Sequence, residues 1–536
     1  MARSMQQTQQ ASSGTRGLAG MIGRNTVFGV LSNLVQVGTR LVTVPVVIHH
    51  LGLGGYGIWN IIMVTAMYMR FGSVGVKTAF QKYVAEATGN GDYERANALL
   101  STGCAAMLVL SVPGLIPIAV FAEQIARWSG VPPEFLKSTT GAISLLAVIM
   151  VMSNVGAVYE AIVTGGHRID LARKFNTILT IAEAVAIVVV LYLGHGLFAM
   201  AGVMGASEFL FVAACYSSAH KVMPNIRVSL KSVTSTVLYE LFRFAGSYQL
   251  VNVLEVLYGW LIPFIILRTF GAATTGVFAV VTRVVSSATI LQDAFLSPIL
   301  SGGTMVYASG AVEKMHVLVT KAFKVTLGLS LFPMSFISVF GPTMAYAWTG
   351  QSDPSFGPAF WFVCLKGLFS SFSLLALVLY RISGKALLDN VRQVIRVSVI
   401  AIAGIFAHQL GFYGLLAGLA AAELIGMIFM VYALTRTFHV FRAKSLAPDT
   451  VKMTTAALLI IGTGAIASYI PLPIDQTSRL ATTMRLIEVS TACLLAAWPS
   501  LLWTGAVTSN EAAAVRAALT PNRRHPAGSL LYSQTE

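Results

Sequence analysis

Residues 25–59 read NTVFGVLSNLVQVGTRLVTVPVVIHHLGLGGYGIW, and this stretch decides the fold class. Positions 25–48 are mostly Val, Leu, Gly, Thr and Ile and carry one charge, Arg40. That run is long enough to cross a bilayer, which takes about 20 largely apolar residues in a helix. A short glycine-rich turn follows, and a second apolar run begins at once. Two apolar helices joined by a tight turn read as a membrane hairpin.

The pattern recurs along the chain. Of 536 residues, 56% are hydrophobic and 11% charged, against about 25% charged in soluble domains. Apolar runs lie at about 25–48, 56–80, 98–121, 139–163, 176–194, 197–219, 240–267, 275–299, 322–342, 357–380, 394–410, 412–434, 452–470 and 484–506. They are too long and too rich in Leu, Ala and Val for the alternating strands of an outer-membrane barrel. The expectation is an all-α integral membrane protein with about fourteen transmembrane helices. The first run lacks a small-residue cleavage site, so it reads as a retained helix and not a signal peptide.

Charge distribution orients these spans. With the N-terminus cytoplasmic, 27 of the 36 Lys and Arg residues fall in inner segments and 5 in outer ones. This matches the positive-inside rule and predicts that both termini are cytoplasmic. The net charge of +15 is spread over small clusters beside apolar runs. Nucleic acid is therefore not an expected partner. The four cysteines lie inside spans without CxxC spacing, and the nine histidines form no ligand-like cluster. No metal site, cofactor or enzymatic constellation is expected.

The two halves of the sequence repeat. Gly52 and Gly57 recur as Gly271 and Gly276, and Gly91, Glu94 and Arg95 match Gly310, Glu313 and Lys314, all at an offset of 219. Pro45 and Pro263 match at 218. Six spans separate the copies, so the halves face the same way, as parallel repeats about an axis along the membrane normal. The expected organisation is a disordered cytoplasmic tail (1–24), a six-helix bundle (25–235), a second six-helix bundle (236–440), two extra helices (441–508) and a cytoplasmic tail (509–536).

Charges inside spans are costly, roughly 2.5–3.5 kcal/mol each on insertion scales, and so they mark function or pairing. Arg40, Arg70, Arg283 and Lys366 lie well inside spans and come from both halves. They are the candidates for binding a negatively charged substrate, since a guanidinium fork stays charged and grips phosphate in bidentate fashion. Of the acidic residues within spans, Glu255, Glu208 and Glu423 are the candidates for coupling or charge pairing. Structural salt bridges between helices are the competing reading for all of them. Asn33 and Gln36 in the first span, with Gln249 and Asn252 in the seventh, would add polar groups to a cavity.

The stretch from Asn25 to Asn97, with its polar first helix, LGLGGYGIW (51–59) and GNGDYERAN (89–97), resembles the start of Wzx-type bacterial polysaccharide transporters. These belong to a superfamily that also holds the MATE drug exporters and the lipid II flippase MurJ. The resemblance covers about residues 20–505. It implies a V-shaped pair of six-helix bundles around a cationic cavity, working by alternating access in the bacterial inner membrane. The implied substrate is an oligosaccharide on undecaprenyl pyrophosphate, flipped from the inner to the outer leaflet for exopolysaccharide, capsule or O-antigen synthesis. Membrane lipids, and the polymerase and glycosyltransferases of the same pathway, are the implied partners. Essential arginines of MurJ-like relatives lie on the first, second and eighth helices, which Arg40, Arg70 and Arg283 match by helix number.

Two alternatives stay open. An ion-coupled, MATE-like small-molecule exporter is one, although the first span lacks the acidic residue of many such exporters. A membrane polymerase or glycosyltransferase is the other. Short outer connectors and the absence of Asp or Glu at 49–55 weigh against it.

Overall fold

The computed structural model describes residues 2–69, 80, 83–84, 86–87, 90–166, 168–224, 226–383, 388–438, 443–470, 478–508, 511 and 513. The chain forms α1 (Ala2–Met69), α2 (Tyr93–Val120), α3 (Ala122–Trp128), α4 (Pro133–Gly165), α5 (Ile169–Tyr192) and α6 (Leu197–Val222). There follow α7 (Ser235–Ala308), α8 (Val312–Thr349), α9 (Phe356–Ile382), α10 (Leu388–Ile405), α11 (Ala407–Phe438), α12 (Ala443–Ala467) and α13 (Arg479–Trp503). Residues 2–24 form the leading turns of α1, where composition alone suggests a disordered tail.

Two helices are longer than any bilayer allows. At 1.5 Å per residue, the 74 residues of α7 would run about 110 Å if straight, against a hydrocarbon core of about 30 Å. Each is interrupted by one glycine: Gly52 in α1 (φ 70°, ψ 175°) and Gly271 in α7 (φ 86°, ψ 179°). A residue with a Cβ would be strained at such a φ, and glycine is not. The breaks turn each helix into two limbs, while Pro45 stays inside a continuous limb. Among the described residues, eleven helical stretches are long and apolar enough to cross a membrane, two of which carry these breaks. With α10, whose Asp389, Arg392 and Arg396 lower its apolarity, the structure provides the fourteen segments the sequence suggests.

Backbone geometry reveals the repeat more sharply than residue identity does. Gly52 and Gly271 (φ 70° and 86°), Gly91 and Gly310 (70° and 68°), Gly130 and Gly350 (82° and 74°), and Gly194 and Gly411 (81° and 69°) form four matched turns. Their offsets stay between 217 and 220. The ninth left-handed glycine among the described residues, Gly505, follows α13 and lies outside the repeat.

The two breaks cross each other. A Cβ on Gly57 would stand 2.4 Å from the Ala272 carbonyl oxygen, and one on Gly276 would stand 2.0 Å from that of Leu53. Backbone touches backbone there, and the two contacts are related by the repeat. Around the crossing, one apolar core joins the halves, with Ile48, Ile58 and Ile62 of α1 against Ile266, Val280 and Val281 of α7. Away from it the cores separate. One, with Phe80, Leu99, Ala161 and Ala219, belongs almost wholly to the N-terminal half. Another, with Leu296, Leu379, Tyr380 and Met430, belongs to the C-terminal half. The halves are thus joined at the crossing end and packed separately at the far end. Helices α12 and α13 lie against α8, where Phe340 meets Ile460, Val489 and Cys493.

Candidate functional site

Arg40 lies twelve residues before the Gly52 break, and Arg283 twelve residues after the Gly271 break. The helical rise sets both about 18 Å from the crossing, near the middle of a bilayer. Each half therefore delivers one guanidinium to the same depth. Both arginines line two adjoining cavities. The first, of about 260 Å³, is polar, with Gln36, Thr39 and Asn60 of α1 and Asn176 and Glu183 of α5 on its wall. The second, of about 580 Å³, is more apolar and includes Leu41, Ile290, Met344, Trp348 and Leu486. Its wall is built by α1, α7, α8 and α13. Trp348 Nε1 fixes α8 to α1 by donating to the Leu41 carbonyl at 2.9 Å.

Among the described residues, no carboxylate forms an ion pair with Arg40 or Arg283. Buried Tyr56 is within hydrogen-bonding reach of Arg283. The nearby acids are engaged elsewhere: Glu183 bonds with Ser207, and Glu208 accepts from Ser153 Oγ at 2.5 Å. Two cations at mid-membrane depth with no described carboxylate paired to them are unfavourable unless water or an anion completes them. Chemically, the arrangement suits a ligand with two negative groups close together.

A second charged region lies inside the C-terminal bundle. Asp389, Arg392, Gln393 and Arg396 fall at i, i+3, i+4 and i+7, on one face of α10. Arg396 reaches Glu423 of α11 at 2.7 Å and Glu255 of α7 at 3.0 Å, with its guanidinium 3.8 Å from the Tyr258 ring centroid. Arg392 pairs with Asp389 at 2.6 Å, Tyr258 donates to Glu423 at 3.1 Å, and Gln393 donates to Glu255. Glu423 is fully buried, and Arg392 and Arg396 nearly so. Every full charge in this network faces an opposite one.

The candidate residues therefore divide. Arg40, Arg283 and Gln36 share the cavity between the halves. Glu255 and Glu423 belong to the paired network. Lys366 lines a third cavity of about 240 Å³, and Glu208 lies near Glu183. Arg70 and the side chains of Asn33, Gln249 and Asn252 lie outside the described residues. The sequence puts Arg392 just before, and Arg396 just inside, the expected span at 394–410, whereas both lie well inside α10. The reason is the helix boundary, because α10 starts at Leu388, not near 394. Their spacing with Asp389 and Gln393 was the available signal, a polar stripe at helical period.

Comparison with known proteins follows this geometry. The MatE family profile matches residues 30–186, a segment that includes Arg40 and the first break. The chain is 21% identical over 335 residues to "Uncharacterized membrane protein EpsK" of Bacillus subtilis (strain 168), covering 61% of this chain and 65% of that one. It is 22% identical over 359 residues to "Lipid II flippase MurJ" of the same organism, covering 59% and 64%. The matches thus span just under two thirds of those relatives' length. A solved structure of lipid II flippase MurJ in an inward closed conformation superposes with a TM-score of 0.66 at 12% identity, covering 89% of this chain and 98% of that one. The chain is a multi-pass, all-α membrane protein with the fold of MOP-superfamily transporters.

Proposed function

We propose that the protein is a flippase that carries an undecaprenyl-pyrophosphate-linked oligosaccharide from the inner to the outer leaflet of the bacterial inner membrane, feeding polysaccharide assembly. The observation that carries this reading is the Arg40–Arg283 pair, one from each half, lining shared cavities without a carboxylate partner among the described residues. A pyrophosphate supplies the missing charge, and two guanidinium groups can each grip one phosphate.

The rest of the geometry fits that cargo. With both termini cytoplasmic, the Gly57–Gly276 crossing seals the outer end of the molecule. The separate cores of the two halves then face the inner leaflet, where the substrate is made. The apolar wall of the larger cavity, between α1, α8 and α13, accommodates a lipid stem beside the charged head. Alternating access would part the glycine crossing and bring the far ends together. The two arginines stay at the same depth throughout.

A MATE-like exporter is the second reading, favoured by the MatE match and by Glu183 on the cavity wall. Proteoliposomes separate the two. The flippase reading predicts that fluorescent lipid-linked oligosaccharide exchanges between leaflets only when the protein is present. Proton-driven efflux of cationic dyes without lipid exchange would replace it with the exporter.

A further inference from the structure

The third cavity lies on the second limb of α7, on the face next to the one that presents Arg283. Ser286 and Thr289 border both this cavity and the larger arginine-lined one, so the two spaces adjoin along one helix edge. Its other polar lining comes chiefly from Thr282, Gln292, Lys366 and Ser370. These groups are hydroxyls, an amide and one ammonium, with no carboxylate, arginine or aromatic ring among the lining residues. We infer that this cavity is a subsite for the sugar head of the proposed substrate, suited to hydroxyl-rich rings. The inference rests on the flippase reading.

Two observations carry it. First, sugar hydroxyls donate and accept at once, and hydroxyl and amide groups do the same. Gln292 is held ready, with Ser371 Oγ donating to its Oε1 at 2.9 Å and its Nε2 donating to the Ser371 carbonyl at 3.3 Å. Second, Thr282 Oγ1 is buried on this wall without a hydrogen-bond partner among the described residues. A buried unpaired hydroxyl is unfavourable, and a ligand hydroxyl would satisfy it.

The volume suits a short stretch of sugar. About 240 Å³ falls just under the range of about 300–1,000 Å³ in which drug-sized ligands bind. A sugar directly attached to a pyrophosphate held by Arg283 would reach it past Ser286 and Thr289.

Binding to purified protein in nanodiscs tests this with two probes: bare undecaprenyl pyrophosphate and the same lipid bearing a neutral oligosaccharide. Wild type should bind the glycolipid more tightly than the bare lipid. Thr282→Val and Ser370→Leu, the second filling the cavity, should weaken the glycolipid about tenfold, the scale of one lost hydrogen bond, and leave the bare lipid unchanged. Arg283→Gln should weaken both probes. Equal wild-type binding of the two lipids would overturn the subsite alone, as would equal weakening of both by Thr282→Val and Ser370→Leu. Failure of wild type to bind any diphosphate lipid would overturn the flippase reading and the subsite with it.

Discussion

Arg283 and Arg396 belong to the same half of the molecule, and each projects from a helix among apolar neighbours. Arg396 is nearly inaccessible, and Glu423, Glu255 and Tyr258 surround its guanidinium. Arg283 lines open space with Arg40 for company, and no described carboxylate pairs with it. The membrane imposes the same requirement on both: a cation at depth needs a counter-charge. At Arg396 the protein supplies it, and the result is a brace between α7, α10 and α11. At Arg283 no described residue supplies it, which leaves room for a ligand to do so. Burial therefore does not separate the two arginines, but pairing among the described residues does.

The largest effect tests the braced region. Glu423→Ala removes the closest charged partner of Arg396, and breaking a buried pair costs about 3–5 kcal/mol. The unfolding midpoint in detergent should fall sharply, with transport per folded molecule preserved. An unchanged midpoint would mean that Arg396 does not depend on this carboxylate, and the contrast with Arg283 would dissolve.

A smaller effect sharpens the same point. Combining Arg396→Met with Glu423→Leu removes both charges, so the double variant should be more stable than the two single losses added together. A coupling of about 1–3 kcal/mol is expected between partners in contact. Strict additivity would show that the two groups do not act as a pair.

The smallest effect lies outside the membrane, where a third ion pair marks the lower limit of what pairing contributes. Glu511, after α13, takes Lys324 Nζ at 2.7 and 2.9 Å and is partly exposed. Burial alone would raise its carboxyl pKa, but hydrogen bonds from Lys324 and Thr508 outweigh this and hold it below the ordinary carboxylate value. A depressed folded pKa gives stability that is present above the unfolded value and lost as pH falls through the folded one. Glu511→Gln should therefore cost about 0.5–1 kcal/mol near pH 7, after allowance for solvent screening. The two proteins should converge below about pH 4. A gap that persists in acid would show that the pair contributes nothing through charge.

Much of this contrast was legible in the sequence, and the unreadable part has a physical reason. Arg40 stands out as the lone charge in its apolar run, and Arg283 as the lone cation in its own. Gly52 and Gly271 stand out because a reversal of a membrane helix demands a left-handed residue, so the glycine persists where its neighbours drift. Arg392 and Arg396 were hidden because their partners lie on other helices. Glu255 is 141 positions from Arg396, and no local pattern announces a contact at that separation. Likewise, Lys366 reads as one more membrane cation until α7 places Thr282, Ser286 and Gln292 around its cavity. The short helix α3, in the connector between α2 and α4, is too brief at seven residues to give a clear periodic signal.

The central claim is that Arg40 and Arg283 hold the pyrophosphate of a lipid-linked substrate. Leaflet exchange of fluorescent undecaprenyl-pyrophosphate-linked oligosaccharide, measured in proteoliposomes with Arg40→Gln and Arg283→Gln beside wild type, tests it most directly. Each variant should lose about a hundredfold in exchange rate, the loss of a charge-assisted contact of about 2.7 kcal/mol, while keeping the wild-type unfolding midpoint. Wild-type exchange in both variants, or a loss that tracks a fall in stability like that of Glu423→Ala, would contradict it.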